Sequence, residues 1–169
     1  NISKNKMNKR IEPEEQAPKQ RILNFSEVNL GYTKEQAVEE AKRCLGCKVP
    51  FCVQGCPVNV DIPGFIRCIK DNNFGESASV IKKTNNLPAV CGRVCPQEKQ
   101  CESKCVLGKK GESVNIGKLE RFSSEYVKDA ERPKFKKKEK VAIVGSGPAG
   151  LSCAADLAKI GYSVTIFEA

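Results

Sequence analysis

The stretch that decides the fold is Cys44-Leu-Gly-Cys47-Lys-Val-Pro-Phe-Cys52-Val-Gln-Gly-Cys56-Pro57, answered downstream by Cys91-Gly-Arg-Val-Cys95-Pro96-Gln-Glu-Lys-Gln-Cys101-Glu-Ser-Lys-Cys105. Nine of the ten cysteines of the 169-residue chain fall between Cys44 and Cys105. Thiolates spaced this closely on one loop can hold neighbouring iron corners of an iron–sulfur cluster, while a cysteine directly before proline turns toward a different site. Cys56 and Cys95 both precede proline. Two other readings compete. A structural zinc site accepts four cysteines, but its usual signature is a pair of C-x₂₋₄-C knuckles, and C-x₂-C-x₄-C-x₃-C-P crowds four thiols too tightly for that. A disulfide scaffold needs an oxidising compartment. Residues 1–20 are dominated by Lys, Glu, Asn, Gln and Pro and offer no apolar run for a signal peptide or membrane span. A cytoplasmic setting with reduced thiols is the expectation.

The formal charge of +9, from 29 basic and 20 acidic residues, raises nucleic acid as a partner. Much of the excess sits in Lys4, Lys6, Lys9 and Arg10 and in Arg132-Pro-Lys-Phe-Lys-Lys-Lys-Glu-Lys140, which read as solvated tail and linker. Aromatic residues make up 6% of the chain and tryptophan is absent, so a base-stacking platform is poorly supplied. Metal ligation would also turn neutral cysteines into thiolates and lower the positive charge. Neither a nucleic acid nor a membrane is expected as partner; an acidic protein surface is.

The organisation expected along the chain is a flexible N-terminal arm over 1–20, a helical iron–sulfur domain over 21–131, a basic linker over 132–139 and the truncated start of a dinucleotide-binding domain over 140–169. Order is expected to begin near Ile22. Thr33-Lys-Glu-Gln36 is a capping-box pattern that opens a helix carrying Ala37, Val38, Ala41 and Leu45 on one side. Pro63 suits a first helical turn, with Phe65, Ile66, Ile69 and Cys68 facing inward. Cys68 belongs to neither burst and reads as a small hydrophobe. A short helix is expected from about Phe74 to Lys83. In Ser113–Val127, Ile116, Leu119, Ser123, Tyr126 and Val127 recur at helical steps, and Glu120 falls within that stripe. A carboxylate on a buried face is costly unless a cation or metal compensates it. The plainer alternative is a glutamate at the stripe's edge, paired with Lys118, Arg121 or solvent.

The last segment, Lys140-Val-Ala-Ile-Val-Gly145-Ser-Gly147-Pro148-Ala149-Gly150 through Ile166-Phe-Glu168, reads strand, glycine turn, helix, strand, acid. Gly145 permits the tight turn, Gly147 lets backbone approach a pyrophosphate at the helix start, and Gly150 allows close helix–strand packing. Glu168 stands where an acid can bond a ribose hydroxyl. Cys153 is expected on the buried helix face. Two strands alone leave apolar faces uncovered, so weak order or intermolecular packing is expected from Lys140 onward.

These blocks together resemble the small (beta) subunit of NADPH-dependent glutamate synthase, the small subunit of NADH-dependent reduced ferredoxin:NADP oxidoreductase, and the N-terminal region of dihydropyrimidine dehydrogenase. The resemblance runs from about Ile22 to Ala169 through Arg43-Cys-Leu-Gly-Cys47, Cys56-Pro-Val-Asn-Val-Asp-Ile-Pro-Gly-Phe65, Cys91-Gly-Arg-Val-Cys-Pro96, Asn115-Ile-Gly-Lys-Leu-Glu120 and Val144-Gly-Ser-Gly-Pro-Ala-Gly-Leu151. It implies a mainly α fold, a helical domain with two [4Fe-4S] clusters followed by the first β-α-β unit of a Rossmann-like FAD-binding domain. It implies that Cys44, Cys47, Cys52 and Glu120 hold one cluster and that Cys56, Cys95, Cys101 and Cys105 hold the other. Cys91 is left over as the rival to Glu120 or Cys95. FAD would meet Gly145, Gly147, Pro148, Ala149, Gly150 and Glu168, and the NADPH site would lie beyond this chain, leaving it without catalytic residues and inactive alone. The implied partner is a large flavoprotein (FMN) subunit or a ferredoxin-linked flavoprotein. The rival of another class is a zinc or interaction module with no redox role.

Overall fold

The structure, a computed structural model, describes residues 9–128, 133 and 135–169. Parts of the expected arm (1–8), helical domain (129–131) and linker (132 and 134) therefore lie outside the described residues. The chain divides into a helical unit up to Val127 and a smaller unit from Lys128.

In the helical unit a minimal antiparallel pair, β1 (Glu14–Glu15) and β2 (Asn29–Gly31), brackets a short helix α1 (Pro18–Arg21). Residues 10–16 differ from the expected flexible arm. The Ile11 amide donates to Glu40 Oε2 at 2.8 Å, the Arg10 amide donates to Glu112 Oε2 at 2.7 Å, and the Tyr32 hydroxyl donates to the Ile11 carbonyl. These anchors are polar and distant in sequence, so hydrophobic periodicity gives no sign of them. Ile22, Leu23 and Phe25 are strongly exposed.

Helix α2 (Lys34–Ala41) opens with both halves of the expected capping box: the Gln36 amide donates to Thr33 Oγ1 and the Thr33 amide to Gln36 Oε1. Ala37 and Ala41 are buried, while Leu45, past the helix end, is exposed. After α3 (Phe51–Gln54), helix α4 (Ile62–Lys70) carries Pro63 in its first turn and is capped by Asp61, which accepts from the Gly64 amide at 3.0 Å. Phe65, Ile66 and Ile69 form the centre of the core, with Cys68 half-buried at its edge. Helix α5 (Phe74–Lys82) and helix α6 (Pro88–Val94) follow, then three 3-10 turns over Gln97–Lys99, Glu102–Lys104 and Val106–Lys109.

Helix α7 (Ile116–Ser124) is the buried axis of the unit. Ile116, Leu119 and Ser123 point inward as their spacing requires, and Phe122 joins them, its ring meeting Phe74 edge-on at 5.1 Å. Tyr126 and Val127 lie beyond the helix end. Where α6 crosses α7, a Cβ built on Gly92 would stand 2.6 Å from the Arg121 amide nitrogen. Backbone cannot yield as a flexible side chain does, so Gly92→Ala is expected to cost about 3 kcal/mol. A thermal melt within about 1 °C of the parent would contradict so close a crossing.

The smaller unit is a β-α-β: β3 (Lys140–Val144), α8 (Pro148–Lys159) and β4 (Ser163–Phe167), with the strands parallel in register from Lys140↔Ser163 to Val144↔Phe167. Part of the basic stretch packs here, the Lys137 amide donating to the Gly161 carbonyl at 2.9 Å and its ammonium lying 4.8 Å from the centre of the Tyr162 ring. Cys153 is exposed, against expectation. A single helix covers one face of the strand pair and leaves its own outer face open, so the buried position on α8 is Ala154. Among the described residues no helix is long and apolar enough to cross a membrane.

Candidate metal centre

Each cysteine is aimed by a specific piece of backbone. Cys44 follows the end of α2, its amide donating to the Ala41 carbonyl at 3.1 Å. Gly46, at φ +59°, turns the chain so that Cys47 faces back toward Cys44. Cys52 rides on α3, and Cys56 follows Gly55, whose missing side chain lets α3 lie against the Gln100 carbonyl, 2.6 Å from where a Cβ would stand. Cys95 ends α6 in an extended conformation, as a residue before proline must. Cys101 and Cys105 flank the Glu102–Lys104 turn, Cys101 with helical and Cys105 with extended dihedrals.

The thiols form two groups. Cys44, Cys47, Cys52 and Cys105 ring one apolar pocket floored by Ile62, Pro63, Ile66 and Ile116. Cys105 and Cys47 are electrostatic neighbours of both Cys44 and Cys52. Cys56 and Glu120 are neighbours of both Cys95 and Cys101. This corrects the partition implied by the resemblance: Cys105 stands with the first group and Glu120 with the second. Cys52 and Cys56, three residues apart by intervening count, thus part company just as Cys101 and Cys105 do. A turn between such a pair sends the second side chain to the opposite side, the device by which a ferredoxin cysteine serves the other cluster.

Glu120 is 9% exposed. Among the described residues Glu120 pairs with neither Lys118 nor Arg121, whose guanidinium binds Glu27 at 3.1 Å and Asn29 at 2.7 Å. Glu120 Oε1 instead accepts from Asn85 Nδ2 at 2.7 Å. Cys91, the left-over thiol, lies on α6 with its Sγ 3.6 Å from Asn85 Oδ1.

The donor chemistry fits a metal-rich occupant. Burial pushes the Cys52 thiol up to about 11, with the neighbouring thiols Cys44, Cys105 and Cys47 adding to it, and Cys101 up to about 12, with Glu102, Glu120 and Cys56 adding to it. Burial and Cys91 raise Cys95, and burial pushes Glu120 up to about 7 against the opposing hydrogen bond from Asn85. Half-buried acids that disfavour one another's ionisation need a shared positive charge before they can all deprotonate. All ten cysteines are free thiols. Among the described residues no three Cys, Asp or Glu side chains close around a point that one ion would fill.

In the smaller unit, Gly145 takes φ +97°, and a Cβ on Gly150 would meet the Gly145 carbonyl oxygen at 2.1 Å. Both glycines are therefore required for the strand-to-helix turn. Nothing among the described residues lies within 4 Å of a Cβ built on Gly147, so the space before the helix start is open. Pro148 and Ala149 begin α8 on an exposed surface. Glu168, just past β4, accepts a hydrogen bond from the Ser146 amide, and the Ser146 side chain together with that amide holds its carboxyl below the usual range.

Asn85 and the buried Glu40–Arg43 pair were the residues that sequence reasoning missed. Asn85 reads locally as a helix breaker, and no pattern signals a partner at position 120.

Together these features define a class: a helical iron–sulfur domain leading into the first turn of a dinucleotide-binding fold, an electron-transfer module of an oxidoreductase. The family described as dihydropyrimidine dehydrogenase domain II, 4Fe-4S cluster matches residues 21–132, and the chain belongs to it. The family described as pyridine nucleotide-disulphide oxidoreductase matches residues 102–169. Among curated relatives, the glutamate synthase [NADPH] small chains of Halomonas elongata and Escherichia coli K12 are 38% and 37% identical over 94% of this chain and 35% of their own length. The NAD-dependent dihydropyrimidine dehydrogenase subunit PreT of Salmonella typhimurium is 40% identical over 89% of this chain and 37% of its own. The chain thus spans about a third of the length of these relatives.

Proposed function

We propose that this chain holds two [4Fe-4S] clusters and, with FAD, forms the electron-relay part of an NADPH-dependent oxidoreductase of the glutamate synthase small-subunit type, delivering electrons to a large FMN subunit. The observation that carries this reading is the pair of separate donor groups on one helical unit, in a chain that continues into a glycine-turned parallel β-α-β. Cys44, Cys47, Cys52 and Cys105 would hold one cluster, and Cys56, Cys95, Cys101 and Glu120 the other. Gly145, Gly147, Pro148, Ala149, Gly150 and Glu168 would meet FAD. The bound groups would supply hydride acceptance from NADPH at the flavin and one-electron carriage at the clusters.

The chain's own residues supply the rest. The apolar floor of the first pocket keeps water from its donors, and burial together with hydrogen bonds to the donors tunes affinity and potential. The thiols give up their protons as they ligate, so loading is favoured by alkaline conditions. The glycine turn leaves backbone amides at the start of α8 free to approach a pyrophosphate. In this reading the domains are the helical iron–sulfur domain, extended to include the anchored residues from Arg10, a basic linker, and the beginning of the FAD-binding domain from Lys140. The nicotinamide site lies outside this chain, the chain alone does not oxidise NADPH, and the setting is the cytoplasm.

The 40% identity to a dihydropyrimidine dehydrogenase subunit supports a second reading of the acceptor, a dihydropyrimidine dehydrogenase partner in place of the FMN subunit. Iron, sulfide and zinc analysis with EPR on anaerobic, dithionite-reduced protein tests the proposal itself. About eight irons and eight sulfides per chain with interacting signals are expected. Stoichiometric zinc without iron would overturn it in favour of a zinc or interaction module. With the full-length protein, NADPH-driven reduction of purified FMN subunit, dihydropyrimidine dehydrogenase partner or ferredoxin-linked flavoprotein then identifies the acceptor.

A further inference from the structure

We propose that Asn85 selects the fourth donor of the second group, presenting Glu120 to it and holding Cys91 out of it. The inference rests on the reading of that group as a cluster site. Asn85 sits between α5 and α6 and is 6% exposed. Its Oδ1 accepts from the Leu87 backbone amide at 2.8 Å. A backbone N–H can only donate, so this bond fixes which end of the side-chain amide is the oxygen. The other end, Nδ2, is then a committed donor, and it points to Glu120 Oε1 at 2.7 Å.

Glu120 makes no other hydrogen bond among the described residues. One of its oxygens is held while Oε2 is left without a protein partner, on a side chain nine-tenths buried. The carboxylate lies among the candidate ligands Cys95 and Cys101, each of which is raised by its charge. With Oε1 held by Asn85, Oε2 is the oxygen that makes no hydrogen bond to the protein and is left for a ligand.

Cys91 meets the opposite end of the same amide, its Sγ donating to Oδ1 at 3.6 Å. This contact holds the Cys91 side chain toward Asn85. The Cys91 backbone is also tied down, its carbonyl accepting from Gln97 Nε2 at 3.0 Å. Cys91 nonetheless stands close enough to Cys95 to raise it. It is a reserve donor, and the polarity of one buried amide decides that the carboxylate and not the thiol completes the group.

The test uses Asn85→Leu, Asn85→Asp, Cys91→Ser and the double variant N85L/C91S, each reconstituted anaerobically and assayed at alkaline pH for iron, EPR and midpoint potential. Cys91→Ser alone is expected to keep the parent's iron and both signals. Asn85→Leu removes all three hydrogen bonds with a side chain of the same branching; iron should stay at about eight per chain while one signal and its midpoint move and the other stays, because Cys91 takes the position. N85L/C91S should lose about half the iron. Asn85→Asp keeps the acceptor for Leu87 and Cys91 but sets a carboxylate against Glu120, and the same signal should move, so the test survives if the leucine variant does not fold. A purely structural Asn85 would lower the melting temperature and leave both signals and midpoints in place, which would overturn the proposal. Loss of half the iron from Cys91→Ser alone would overturn it too, by making Cys91 a resident ligand. A parent protein without iron would instead show that the cluster reading has failed, and this inference with it.

Discussion

Glu40→Ala is expected to destabilise the helical unit by about 3–5 kcal/mol, the cost of breaking a buried ion pair by removing one partner. Glu40 is fully buried and joins three segments. Its Oε1 accepts from Arg43 Nη1 at 2.6 Å and from the Asn115 amide at 2.8 Å, and its Oε2 accepts from the Ile11 amide at 2.8 Å. Arg43 in turn donates to the Glu112 and Ser113 carbonyls at 2.6 and 3.2 Å. Truncation leaves the Arg43 charge without its buried counter-ion and two backbone amides without their acceptor, so the cost is desolvation left uncompensated and not merely a lost attraction. A domain of this size has only about 5–15 kcal/mol to lose. The melting temperature of the iron-free protein should fall by about 10 °C or more. Because Arg43 immediately precedes Cys44, iron loading of the first group should fall as well. A melt within about 2 °C of the parent would show that the pair contributes little.

The second large effect separates the two donor groups. Cys44→Ser and Cys105→Ser are each expected to abolish the same EPR signal and about half the iron, whereas Cys101→Ser should remove the other signal and Glu120→Ala should remove or displace that same one. The expectation comes from the pocket that Cys105 shares with Cys44, Cys47 and Cys52, and from the shared surroundings of Glu120, Cys95 and Cys101. If Cys105→Ser instead extinguished the signal lost in Cys101→Ser, the grouping described above would be wrong.

Much of this architecture is legible locally. The capping box at Thr33–Gln36, the helix at Phe74–Lys82, the inward Phe65, Ile66 and Ile69, and the glycine-turned β-α-β all follow from neighbours within a few positions. The stripe that contains Glu120 was also readable, and with it the anomaly of a carboxylate at a buried position. The anchoring of Arg10 and Ile11 was not legible. Their partners, Glu112 and Glu40, lie 102 and 29 residues away, and the bonds are polar, so hydrophobic periodicity is silent about them.

The sequence by itself determined that this chain concentrates thiols for iron–sulfur chemistry and continues into a dinucleotide-binding unit, because ligand spacing and glycine requirements are properties of short stretches of backbone. Only the tertiary structure decided which donors share a site. Cys95 must leave its helix extended because Pro96 follows, but nothing beside Cys105 constrains its direction; the Glu102–Lys104 turn does, and that turn packs against α3. Glu120 and Asn85, 35 residues apart, meet because α7 is buried against α5 and α6. A helix's periodicity says that a side chain points inward; what it meets there is set by the elements packed across from it.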